Sequence, residues 1–120
     1  AQAEQFSFYR IPKALFTEPN FRELSTDAKV LYGILLDRMS LSLKNQWLDA
    51  QNKVYIIFTV NEIMDALNCA NQKATRLMVE LEKQAGLIER KRQGLGRPNL
   101  IYVKNFAATI NGKSCEKGDS

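Results

Sequence analysis

Between positions 26 and 43 the apolar residues Ala28, Leu31, Tyr32, Leu35 and Met39 recur at helical spacing. Val30, Ile34, Leu36 and Leu43 widen that stripe almost all the way round. A helix apolar on most faces is a buried one, so residues 26–43 are expected to form a central core helix. Ser25 or Thr26 can cap it, and Asp27 in its first turn suits the positive end of the helix dipole. Upstream, Phe6 to Arg10 alternate loosely and are read as a short strand. Pro12 suits the first position of a short helix through Phe16, and Glu18-Pro19-Asn20 is read as a turn.

Downstream, residues 44–53 form a polar loop that holds the only tryptophan, Trp47. Val54 to Phe58, VYIIF, is short, β-branched and aromatic, which predicts a buried strand. Thr59 followed by Glu62 makes a capping box at the head of a helix over 59–67, with Val60, Ile63, Met64 and Leu67 on its apolar face. Residues 68–70 are a turn. Asn71 can cap the next helix, 71–85, whose apolar positions are Ala74, Leu77, Met78, Leu81 and Ala85, with Gly86 as its left-handed end. Residues 87–92 and 100–104 read as two strands, joined by a loop over 94–99 rich in Gly, Pro and Asn.

This order predicts an α+β domain over residues 1–106. It is a winged helix-turn-helix with a three-stranded β-sheet, a wing hairpin and a short N-terminal extension. Residues 107–120 are polar and are expected to be a linker or tail toward a further C-terminal domain.

Composition narrows the chemistry. The chain has 120 residues and no histidine, which leaves out the commonest general base and the commonest metal ligand. No other acid–base or metal constellation is visible, so no enzyme, metal or cofactor is expected. The carboxylate pairs Asp37/Asp49 and Glu80/Glu82 have no companions that suggest catalysis. Cys69 reads as a small buried hydrophobe and Cys115 as incidental, so a reducing cytoplasm is the expected location. No apolar stretch approaches the roughly 18 residues a membrane span needs.

The formal net charge is +4, and its distribution is uneven. Residues 1–70 hold 7 Lys/Arg against 8 Asp/Glu, whereas residues 71–104 hold 8 against 3. Concentrated positive charge on one segment is the footprint of a nucleic-acid contact surface.

Within that segment, the outward positions of helix 71–85 are Gln72, Lys73, Thr75, Arg76, Val79 and Lys83. Gln can bond adenine in bidentate fashion, Arg can bond guanine, and Thr can offer its methyl to thymine. Asn71, Lys73 and the helix N-terminus suit phosphates. The competing reading is a solvated helix face, which any surface helix would show. In the hairpin, Arg90 and Arg92 fall on one strand face, with Glu89 and Lys91 on the other. Gly94 and Gly96 would let the tip come close to a phosphate backbone, and Arg97 could enter a narrow A·T minor groove. Charges also blunt sheet edges, but that does not require five cations against one anion between Glu89 and Lys104. Trp47 and the aromatics Phe6, Phe8 and Tyr9 are packing residues or, alternatively, a partner or self-association surface.

Four segments, FYRIPKALF, LSTDAKVLYGILLDRMSLS, VYIIFTVNEIMDAL and GLIERKRQGLGRPNLIYVKNF, resemble the N-terminal domain of the RepA_N plasmid replication initiators. The turn NCANQK is less glycine-rich than that family's pattern. The resemblance implies a winged helix that binds repeated double-stranded DNA sites, or iterons, in the origin of a plasmid of low-GC Gram-positive, staphylococcal type. It further implies a dimer or higher assembly on DNA, and host replication proteins engaged by a separate C-terminal domain. The family role falls on helix 71–85 and on Arg90, Lys91, Arg92, Gly94, Gly96 and Arg97. The rival functions are a winged-helix transcriptional repressor with the same DNA surface and a protein-interaction module that leaves DNA alone.

Overall fold

The computed structural model describes residues 7–106. In chain order they form α1 (Ala14–Thr17), a 3-10 turn (Pro19–Phe21), α2 (Thr26–Asn45), α3 (Val60–Leu67) and α4 (Asn71–Val79). A π-helical turn (Glu80–Gln84) continues α4, and β1 (Ile88–Lys91) and β2 (Leu100–Val103) follow. The expected aromatic position Phe6, the tail 107–120 and Cys115 lie outside the described residues.

The core is built around α2. The Ser25 hydroxyl accepts from the Ala28 N–H at 3.2 Å, with Asp27 in the first turn and Gln46 closing the helix in the left-handed region at φ 61°. Ala28, Leu31, Tyr32, Ile34 and Leu35 are buried against Leu15, Phe21 and Leu24 from the N-terminal side. From the other side come Ile63 of α3, Ala74, Leu77 and Met78 of α4, and Leu81, Ile88 and Ile101.

The N-terminal segment differs from expectation. Residues 7–10 form no strand and instead cross α2 at Gly33, where a Cβ would lie 2.9 Å from Ile11 Cγ1 and 3.1 Å from the Arg10 carbonyl oxygen. The arm is therefore held by close packing on a helix that lacks a side chain there. Phe8 and Tyr9 are left exposed rather than packed into the core. Helix α1 begins after Lys13 and not at Pro12, because the Pro12 carbonyl accepts a turn bond from the Leu15 N–H at 3.1 Å ahead of the first helical turn.

The expected capping box is present at α3. The Thr59 N–H donates to Glu62 Oε1 at 2.8 Å and the Glu62 N–H donates to Thr59 Oγ1 at 3.2 Å. Asn68 ends α3 in the left-handed region at φ 53°. The cap of α4 is a correction. Ala70 holds the extended N-cap conformation and its carbonyl accepts from the Ala74 N–H, so Asn71 is already the first helical residue and caps nothing.

Helix 71–85 is also not uniform, since its end widens into the π turn, closed by the Ala85 N–H on the Glu80 carbonyl at 3.1 Å. Gly86 follows at φ 65°, as a left-handed helix end requires. The Glu80 carboxylate bridges back to the head of α2, accepting from the Ser25 N–H at 2.9 Å and the Ser25 hydroxyl at 3.0 Å.

The sheet has two strands, not three. β1 and β2 pair antiparallel with Ile88 opposite Val103 and Lys91 opposite Leu100. The segment expected as a third strand, 54–58, meets β2 at one isolated bridge, where Ile56 and Ile101 exchange both N–H···O bonds at 2.9 Å. In that register Val54 would continue to Val103, but it bridges to Leu48 instead. At the other end Phe58 would face Asn99, which belongs to the loop after Pro98. The ladder therefore has nowhere to extend.

One hydrogen bond ties the core helix to the hairpin. The buried Tyr32 hydroxyl donates to the Lys104 carbonyl at 2.6 Å. Burial pushes the phenol up to about 12, partly offset by the backbone of Phe106. Leaving a buried partner unmatched costs about 1–3 kcal/mol, so Tyr32→Phe is expected to lower the unfolding free energy by roughly that amount in urea titrations. A raised acid pKa means that the fold holds its proton more tightly than the unfolded chain does. The wild type should therefore lose stability as pH rises from 10 toward about 12, and Tyr32→Phe should flatten that alkaline limb.

Candidate nucleic-acid interface

The inner face of α4 is fixed by its buried residues Ala74, Leu77 and Met78, which leaves the opposite stripe in water. Gln72, Thr75, Arg76 and Val79, at i, i+3, i+4 and i+7, are exposed on one face. Asn71 is exposed at the head of the helix and Lys83 on the π turn. Lys73 is only partly exposed, and its ammonium is ion-paired with Asp27 at the head of α2. Spacing along α4 alone could not reveal that partner, because Asp27 arrives from a helix far away in sequence.

The hairpin follows α4 through Gly86. Arg90 lies on the inner face of β1 beside the buried Ile88, and its Nε and Nη2 donate to Glu82 Oε1 at 3.0 and 2.6 Å. Both side chains are partly buried. Arg90 is thus a paired charge anchored to the π turn, not a free cation. Lys91, Arg92 and Arg97 are exposed and, like Arg76 and Lys83, have no ion pair among the described residues. Three of the hairpin's cations without an ion pair therefore lie toward its tip, and exposed Lys104 stands at its base.

That tip is ordered by its own bonds. The Arg97 N–H donates to the Gly94 carbonyl at 3.3 Å, and the Gln93 side-chain amide donates to the Pro98 carbonyl at 2.8 Å. Gly94 and Gly96 sit at φ 119° and 77°, where an L side chain is strained, although a Cβ on either would meet open space. Backbone conformation, not crowding inside the chain, explains these two glycines. Arg90 and Arg97 line one cleft with Met78 of α4 and with Thr59 and Val60 at the head of α3, so helix and hairpin form adjoining surfaces.

The outer face of the hairpin is propped by the loop after α2. The Tyr102 hydroxyl donates to Asp49 Oδ2 at 2.8 Å, and Asp49 Oδ1 also accepts from the Gln51 and Lys53 N–H groups. Those bonds, the Lys53 N–H foremost, hold the Asp49 carboxyl below its ordinary value, and the bond to Asp49 raises the Tyr102 phenol. Asp49 thus joins the loop after α2 to the hairpin. Cys69 is partly buried against the core, and Trp47 is exposed at the end of α2. No helix among the described residues is long and apolar enough to cross a membrane.

Three further residues shape this surface: Asp27, expected only to suit the helix dipole, and Glu82, expected to have no catalytic companions, pair with Lys73 and Arg90, and Leu95 projects from the hairpin tip fully exposed. The only sequence signal for Leu95 was its place between two glycines.

Residues 7–117 match the family described as "Replication initiator protein A (RepA) N-terminus". A "41 kDa protein" of Lactobacillus helveticus is 32% identical over 103 residues, 86% of this chain and 28% of that protein. The chain thus spans little more than a quarter of that relative. Three solved structures share the fold. The "N-Terminal domain of DNA binding protein" is 35% identical with a TM-score of 0.75, over 99% of this chain and 92% of that one. The "Structure of Rep-DNA complex" is 35% identical with a TM-score of 0.73, over 99% and 93%. The "Structure of MDR initiator" is 39% identical with a TM-score of 0.71, over 94% and 93%. The chain belongs to the RepA_N family of replication initiator protein A N-terminal domains.

Proposed function

We propose that this domain is a winged helix-turn-helix that binds double-stranded DNA at repeated sites, or iterons, of a plasmid replication origin. In this reading α3, the turn 68–70 and α4 are the helix-turn-helix, and β1 and β2 with their loop are the wing. The observation that carries it is the pairing of two adjoining surfaces. One is the exposed stripe Gln72, Thr75, Arg76 and Val79, whose side chains can read base edges in a major groove. The other is the hairpin end, with Lys91, Arg92 and Arg97 free of ion pairs among the described residues. Cations so placed contact phosphates and fix register, while the helix reads sequence. Family membership and the relative solved as a Rep–DNA complex support the same reading.

Lys83 and Asn71 flank the stripe and contact the backbone. Lys73 and Arg90 act at one remove, since each already holds a carboxylate. The domain marks the origin without a catalytic step, in the cytoplasm of a low-GC Gram-positive host. Several protomers occupy neighbouring repeats, and the rest of the longer initiator engages host replication proteins.

Arg76→Ala tests the reading helix. A good bidentate base contact is worth about 1–3 kcal/mol of discrimination. The variant is therefore expected to lose roughly that much preference for an origin repeat over a scrambled duplex, by fluorescence anisotropy. Equal weakening on both duplexes would show that Arg76 holds phosphate and not a base.

A further inference from the structure

We infer that Leu95 is a specificity residue of the wing, seated in the minor groove, where it rejects G·C pairs. The inference rests on the DNA-binding reading above and deepens it.

Leu95 is fully exposed, and a lone exposed leucine is ordinary on a protein surface. Its setting is not. The side chain stands between two glycines at positive φ, on a turn closed by the Arg97 N–H bond to the Gly94 carbonyl. The Gln93 bond to the Pro98 carbonyl braces the loop from behind. Leu95 also shares one concave surface with Arg92, Arg97 and Asn99. A branched apolar group on the same surface as Arg92 and Arg97 does nothing for solubility, and a hairpin tip that needed only edge protection would carry charge there.

A minor groove matches that combination. Its walls are the C–H surfaces of deoxyribose, and its negative potential attracts arginine. Minor-groove proteins use apolar side chains, leucine among them, against the base steps. The floor then decides what leucine tolerates. A·T and T·A present only acceptors there, whereas G·C adds the guanine 2-amino donor. A leucine pressed on that amine removes its water and supplies no acceptor, leaving a donor unsatisfied. The same leucine on an A·T floor meets no protruding amine. Arg97 favours the narrow groove by charge, and Leu95 excludes the amine by shape and desolvation.

Inosine separates these effects, because it is guanine without the 2-amino group and leaves the N7 and O6 acceptors of the major groove in place. Three origin-repeat duplexes would be compared, differing only in the pairs beneath the wing: A·T, I·C or G·C. The wild type should bind the A·T and I·C duplexes alike and the G·C duplex about 5–100-fold more weakly, the range of a single base-pair discrimination. Leu95→Ala should bring the I·C and G·C affinities together while leaving the salt dependence unchanged, since no phosphate contact is lost. Arg97→Ala should weaken all three duplexes, lower the salt dependence and keep the I·C over G·C preference.

Equal wild-type affinity for I·C and G·C would overturn the inference, as would an I·C preference that survives Leu95→Ala. Collapse of that preference in Arg97→Ala alone would assign the effect to the arginine instead. If the wild type prefers none of these duplexes to a scrambled one, the DNA reading itself fails and this inference falls with it.

Discussion

Replacing Leu77 by alanine is expected to lower the unfolding free energy by about 2–5 kcal/mol, the cost of truncating a fully buried leucine. Leu77 has no solvent exposure and lies between Ala74 and Leu81 on the side of α4 that meets the core. Its loss removes apolar contact and leaves a cavity that two helices and a hairpin can only partly close. Small domains are stable by only about 5–15 kcal/mol, so the melting temperature should fall on the order of 10 °C or more. Urea unfolding monitored by circular dichroism checks this, with the midpoint moving and the slope preserved. Val79→Ala, on the exposed stripe of the same helix, should change stability by less than about 0.5 kcal/mol. An equal loss at both positions would mean that α4 is not docked by the face described.

Replacing Lys91, Arg92 and Arg97 together by alanine is expected to produce the largest loss of DNA binding. All three are exposed and none has an ion pair among the described residues, so the fold should keep its stability. Each cation that neutralises a phosphate contributes about 0.9 to the slope of log affinity against log salt. Removing three should flatten that slope by about 2–3 and weaken both origin and scrambled DNA on the order of a hundredfold at moderate salt. Arg90→Ala should behave differently, because its guanidinium is held by Glu82. It should alter stability more than salt slope.

Much of this architecture was legible because local chemistry and global packing agree in it. The all-round apolar run from Ala28 to Leu35 required a buried helix, but the expected burial does not reach Leu43, which is exposed with Leu41 where α2 runs past the core. Thr59 and Glu62 required a capped helix, and the glycines at 94 and 96 required a turn. What escaped depended on distant parts of the chain. Val54 to Phe58 reads as a strand by composition, yet β2 accepts it at one residue because Val54 turns to Leu48. The arm at residues 7–11 is set by the missing side chain of Gly33. The π turn is bound up with Glu80 reaching Ser25, a contact between ends of two helices.

The site shows the same division. Spacing on α4 correctly put Gln72, Thr75, Arg76 and Val79 outward, because helical periodicity is local. It could not show that Asp27 holds Lys73 or that Glu82 holds Arg90, because both carboxylates come from other elements of the chain. Attention to charge also hid Leu95, whose interest lies in being apolar among arginines.

The central claim is that this domain reads DNA sequence rather than charge alone. Its most direct test is the affinity of the wild-type domain for an origin fragment carrying the repeats, beside a scrambled fragment of the same composition, across a salt series. The account expects origin DNA to be preferred by about a thousandfold or more at physiological salt, as specific binders achieve. Both affinities should fall with salt, the scrambled one to the point of disappearing. A ratio near one at every salt concentration would contradict it.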